Sequence, residues 1–276
     1  MRNSLQLAQR MPYSVHFFFL IYPLLGLLSG FLAGLLGIGG GLVIVPALLV
    51  IFPYQGMAAA VVTHTAIATS LATVVVTSFI AAYSHHRHAA VEWSIFRRMA
   101  PGLFSGALVG ALVTTRLPGE TLRVIFGVFA IAAALQMGFQ LQPATRGHLF
   151  AKSGLAMVGI VIGLVSALVG VGGGTMTVPY LRWSAVKMQR AVATSSACGF
   201  PIAAGACAGF SLVDGFAGGS ALANSTIYWP AAIWIAIASL AAVPMGARFT
   251  HRISIVSLSR IFAFTLAIIG LRLVFV

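Results

Sequence analysis

The chain has 276 residues, 60% of them hydrophobic and only 7% charged, where an ordinary soluble domain carries about a quarter charged. That composition excludes a soluble globular domain, and apolar runs long enough to span a bilayer of about 30 Å recur from end to end. A net charge of +13 would point to nucleic acid in a soluble protein. Here most Lys and Arg fall in short loops, where they set membrane orientation, so the expected partner is a cell (inner or plasma) membrane and not nucleic acid.

Arg2 and Arg10 precede an apolar run from Val15 in the manner of a signal peptide. The run continues directly into GLLGIGGGLVIVP, Gly34 to Pro46, so a retained segment is expected. The whole apolar unit, Val15–Phe52, is too long for one ordinary span and too short for two. Glycine weakens a helix interior and proline has no backbone N–H to donate. The unit is therefore predicted to break into two shorter helices at Gly39–Gly41. Full spans follow at Ala58–Tyr83, Met99–Thr115 and Thr121–Leu141.

A second unit, Ser153–Leu181, repeats the pattern as GVGGGTMTVP, Gly170 to Pro179. Its break is predicted at Gly172–Gly174, and spans follow at Ala191–Val213, Ile227–Ala247 and Ser254–Phe275. The halves match elsewhere: Ala66-Ile-Ala-Thr-Ser70 against Ala191-Val-Ala-Thr-Ser195, and Leu122-Arg-Val-Ile-Phe126 against Leu258-Ser-Arg-Ile-Phe262. The reading is an all-α polytopic membrane protein of two homologous repeats, residues 1–142 and 143–276. Each repeat has about four helical segments and opens with a Gly-broken, re-entrant helix pair.

Positive charge orients the repeats. If each glycine unit returns to its own side, each half crosses three times and the second half is inverted. The loops Ser84–Arg98, Gln142–Lys152, Arg182–Arg190 and Arg248–Arg252 then lie inside. With Arg260 they gather eleven of the 16 Lys and Arg, leaving Arg2 and Arg10 among those outside.

Non-helical backbone at membrane depth survives only when buried in protein or lining a wet cavity. Paired Gly/Pro-interrupted segments in corresponding positions point to a transporter binding site. A helix opening at such a break presents uncapped N–H groups and a partial positive charge, which suits an anion. Candidate substrate-binding residues are Gly39, Gly40, Gly41, Gly172, Gly173 and Gly174. The next span carries Thr65, Thr69, Thr73 and Thr77 on one slowly turning face, with Ser70 beside them. Thr69, Ser70, Thr194 and Ser195 recur in both halves and are expected to line the pathway. The alternative is that such hydroxyls bond their own preceding carbonyls.

Gly102, Gly106 and Gly110 form GxxxGxxxG, read as a helix-packing face. Pro101, Pro244 and Gly246 mark bends. His85, His86 and His88 make a basic loop with Arg87, and no carboxylate or cysteine joins them in a metal-ligand set. His64 is a candidate for proton coupling, against interfacial packing. Cys198 and Cys207 are assigned to packing. The only acids are Glu92, Glu120 and Asp214, all in or beside loops, so no catalytic set, metal site or cofactor is expected, and the chain is not read as an enzyme.

These residues resemble the sulfite exporter TauE/SafE family of membrane permeases. The resemblance rests on GLLGIGGGLVIVPALL from Gly34, HTAIATSLATVVVTS from His64 and SHHRHAAVEW from Ser84. In the second half it rests on GLVSALVGVGGGTMTVPYL from Gly163 and AVATSSA from Ala191. It implies about eight membrane segments in two repeats, and movement of small anions such as sulfite, thiosulfate or sulfoacetate. The second repeat departs from the family's usual run at Thr194-Ser-Ser196, followed by Cys198 and Pro201. The combined expectation is a secondary transporter for a small anion, sulfite or another sulfur oxyanion. It would work by alternating access between the two breaks, with a proton or sodium as coupling ion. A small-cation or divalent-metal permease is the alternative.

Overall fold

The computed structural model describes residues 12–37, 39–139, 152–216, 226–249 and 255–275. Arg2, Arg10, residues 142–151 with the expected repeat boundary, and Arg252 lie outside them. Among the described residues the chain is helical and has no strand. The helices are α1 (Pro12–Leu36), α2 (Gly41–Tyr54), α3 (Ala59–His86), α4 (Trp93–Thr114), α5 (Gly119–Gly138), α6 (Lys152–Val169), α7 (Gly174–Trp183), α8 (Met188–Phe216), α9 (Trp229–Phe249) and α10 (Ile255–Phe275).

Helices stand at the six positions where full spans were expected: α3, α4, α5, α8, α9 and α10. Among the described residues, α3, α5, α8 and α9 are long and apolar enough to cross a membrane. α4 starts earlier than expected, at Trp93, so Arg97 and Arg98 belong to its first turns and not to a loop. Both glycine units are broken, as expected. The first stops at Leu36 and resumes at Gly41; the second stops at Val169 and resumes at Gly174. Gly37, Gly39 and Gly40 take φ of 70°, 73° and 81°, and Gly170 takes 75°. An L side chain in that region costs about 1–2 kcal/mol, which is why these turns are glycine.

The second members of the pairs are short. At 1.5 Å per residue, the 14 residues of α2 and the 10 of α7 reach only about 21 Å and about 15 Å. α2 doubles back along α1: Gly40 lies against Ser29, and at the far end the Gln55 amide donates to the Tyr22 hydroxyl. Between them Ile44, Leu48 and Phe52 share a buried cluster with Tyr22 and Leu25.

Glycines set the remaining pairings. Side by side and parallel, α4 and α6 bring Gly102 to Ala156, Gly106 to Ile160 and Gly110 to Leu164, while Gly159 and Gly163 face Met99 and Leu103. The GxxxGxxxG run is thus a packing face, as its small-residue spacing indicates. In the same way α1 lies on α9, with Gly26, Gly30 and Gly34 against Ile235, Ser239 and Val243, and Gly246 against Phe31. α5 and α10 run antiparallel: Gly127 meets Gly270 and Val274, and Gly138 meets Ala263. Outward faces stay apolar, as with Ile233, Ile237 and Leu240 on α9. The largest buried cluster passes through Leu36, Leu42, Ile67, Leu71, Val169, Val171 and Ile202, around the two breaks.

Candidate functional site

The two breaks, far apart in sequence, press against each other. A Cβ built on Gly39 would stand 3.0 Å from the Cα of Gly172. One built on Gly41 would stand 2.5 Å from the carbonyl oxygen of Gly170 and 2.8 Å from the Cα of Val171. Gly39, Gly40, Gly41, Gly172, Gly173 and Gly174 are all buried. Gly39, Gly41 and Gly172 form the junction. Gly40 faces Ser29, and Gly173 faces Ile202 and Thr177. The glycines therefore serve two ends at once, left-handed turns in the first break and backbone-to-backbone contact between breaks.

The hydroxyls tie this junction crosswise. Ser70 on α3 donates to the carbonyl of Gly170 at 2.8 Å, and Ser195 on α8 donates to the carbonyl of Gly37 at 3.0 Å. The neighbouring threonines act as acceptors. The backbone N–H of Tyr228, just before α9, donates to Thr69 Oγ1 at 2.9 Å. That of Glu92, just before α4, donates to Thr194 Oγ1 at 3.0 Å. All four residues are fully buried. Each hydroxyl satisfies a backbone group of a distant segment. Thr73 does bond locally, to the Ser70 carbonyl at 2.6 Å, while Thr77 reaches the carbonyl of Gly39 at 3.2 Å.

Around the junction the loops are latched. Arg190, at the start of α8, pairs with Glu92. Asp214 accepts from the Thr226 backbone N–H at 2.9 Å and its hydroxyl at 2.6 Å. His64 Nε2 lies 3.0 Å from the Leu117 carbonyl, tying the start of α3 to the turn before α5. His86 Nδ1 accepts from the Trp93 indole at 3.1 Å. Among the described residues no three His, Cys, Asp or Glu are placed to hold a metal. Cys198 and Cys207 are free thiols.

Sequence reasoning missed Thr175 and Thr177. Both stand on α7 directly after the second break, both are buried, and neither hydroxyl has a partner. The signal was available: the first motif reads GGGLVIVP and the second GGGTMTVP, so two apolar positions of one copy are hydroxyls in the other.

The family model for the sulfite exporter TauE/SafE matches residues 22–273. The chain belongs to that family. A protein of Haemophilus influenzae described as a probable membrane transporter protein is 32% identical over 261 residues, covering 93% of this chain and 98% of its own length. A Methanocaldococcus jannaschii protein of the same description is 33% identical over 64% of this chain and 68% of its own. The Bacillus subtilis protein YdhB, also a probable membrane transporter, is 24% identical over 90% of this chain and 97% of its own length. No solved structure gives a significant match.

Proposed function

We propose that this TauE/SafE-family chain is a secondary transporter for a small oxyanion, sulfite or another sulfur oxyanion, held between the two glycine breaks. The observation that carries the reading is which side of each break the protein already satisfies. The carbonyls of Gly37, Gly39 and Gly170 each accept a side-chain hydroxyl. The N–H groups of Gly41 and Leu42 and of Gly174 and Thr175 open α2 and α7 ahead of the first bonds back, which Val43 and Met176 make to the carbonyls of Gly40 and Gly173. A break with its carbonyls engaged and its N–H end facing the junction suits an anion. A cation would need the carbonyls, or the carboxylates that hard cations prefer. The inferred localisation is an integral, multi-pass place in the inner or plasma membrane, with a proton or sodium as coupling ion.

We further propose that residues 1–142 and 143–276 are inverted repeats, each opening with a re-entrant pair. In support, the matched helices α5 and α10 lie antiparallel, as copies related by an axis in the membrane plane would. The doubling back of α2 on α1 supports the re-entrant reading, as does the meeting of Glu92, before α4, with Thr194 near the start of α8. Alternating access would then rock one repeat against the other about the junction. Single cysteines at His86 and Val186 should label from one face only, the cytoplasmic one; labelling from opposite faces would overturn inversion.

The decisive experiment is counterflow in proteoliposomes against sulfite, thiosulfate, sulfoacetate, acetate, sodium and nickel. Saturable flux of a sulfur anion is the expected result. Cation flux with no anion flux would refute the anion reading and favour carbonyl coordination.

A further inference from the structure

The two breaks are not chemically alike. The third glycine of each motif opens a helix, and the residues that follow are Leu42, Val43 and Ile44 in the first but Thr175, Met176 and Thr177 in the second. Leu42 and Ile44 are fully buried and need no partner. Thr177 is also fully buried, Thr175 is 9% exposed, and both hydroxyls lack one. A buried hydroxyl without a hydrogen bond is costly, and native proteins keep few of them. A threonine one turn into a helix commonly relieves this by bonding the carbonyl four residues back. Thr177 does not do so, although its own N–H reaches the Gly173 carbonyl at 2.7 Å.

Its hydroxyl is aimed instead at the start of the helix. A Cβ built on Gly173 would lie 3.1 Å from Thr177 Oγ1, with the Cδ1 of Ile202 and, at 3.8 Å, the Cγ2 of Ile162 around it. The Ile202 methyl is the far end of a flexible side chain, so it can turn away from Gly173 without moving backbone. An unpartnered hydroxyl, a helix N-terminus and a movable apolar cover thus meet at one end of the junction.

Resting on the anion-carrier reading above, we propose that the oxyanion is held at the second break and not shared equally between the two. Thr177 donates its hydroxyl to it, together with the first N–H groups of α7, and Ile202 closes over it. The first break, with Leu42 and Ile44 in the same places, forms an apolar wall.

The test uses the full chain in proteoliposomes and in detergent, with whichever panel anion the wild type carries as probe. Thr177→Val should weaken the apparent affinity for that anion by about tenfold to about a hundredfold, the range for a hydrogen bond to a charged group. Thr177→Ser, which keeps the hydroxyl, should recover most of it. The empty Thr177→Val protein should melt no lower than wild type, because that hydroxyl bonds nothing in the protein. Wild-type affinity in Thr177→Val would overturn this assignment while leaving the anion-carrier reading intact. A valine variant whose empty form is destabilised, and which serine does not rescue in transport, would make the hydroxyl structural and overturn it too. A wild type that carries no anion of the panel would sink both.

Discussion

Gly41→Ala is expected to abolish transport. The added methyl carbon would stand 2.5 Å from the Gly170 carbonyl oxygen, 2.8 Å from the Val171 Cα and 3.2 Å from Ser70 Oγ. Two of those three neighbours are backbone and cannot rotate away. The breaks would have to part, and the Ser70 bond that holds Gly170 lies at the same point. Overpacking of this kind costs typically about 1–3 kcal/mol. The larger effect is on the site, since the contact displaced is the one that positions the two helix openings. Flux at background with protein still inserted in the membrane is the expected outcome, read by counterflow and by thermal melting in detergent. Wild-type flux from Gly41→Ala would show that the breaks do not work in contact.

Gly106→Leu is expected to prevent folding altogether. Even a single carbon on Gly106 would fall inside the carbonyl oxygen of Ile160, and Gly102 and Gly163 are equally tight against Ala156 and Leu103. In lipid there is little hydrophobic drive to bring helices together, so close backbone approach through small residues carries the association. A leucine there separates α4 from α6 along their whole length. Gly138→Ala is the control: its Cβ would make only an ordinary contact, 3.6 Å from Ala263, and its φ is not in the left-handed region. Size-exclusion profiles should show aggregate for the first and a sharp peak for the second. A monodisperse Gly106→Leu protein would mean that α4 and α6 are held by something other than their glycines.

Much of this architecture is legible in the chain because membrane helices announce themselves locally. The apolar runs gave α3, α5, α8 and α9 near their observed ends, and the clustered glycines before Pro46 and Pro179 marked the breaks. What could not be read is what each hydroxyl bonds. Thr69, Ser70, Thr194 and Ser195 were conspicuous by recurrence, but their partners lie 100 to 159 residues away. No local spacing rule reaches that far. Thr175 and Thr177 differ: the mismatch between GGGLVIVP and GGGTMTVP marks them in the sequence, and the burial of their unpartnered oxygens gives that mismatch its meaning.

The crosswise serine bonds also have a consequence for how the chain is made. Gly37 leaves the ribosome long before Ser195, and its carbonyl has no side-chain cap until that residue is synthesised and inserted. Until then the first glycine turn carries a backbone acceptor without that cap, and in lipid an unmet backbone group costs several kcal/mol. Capping of the Gly37 carbonyl is therefore a late event in the making of the chain, waiting on a helix that begins at Met188.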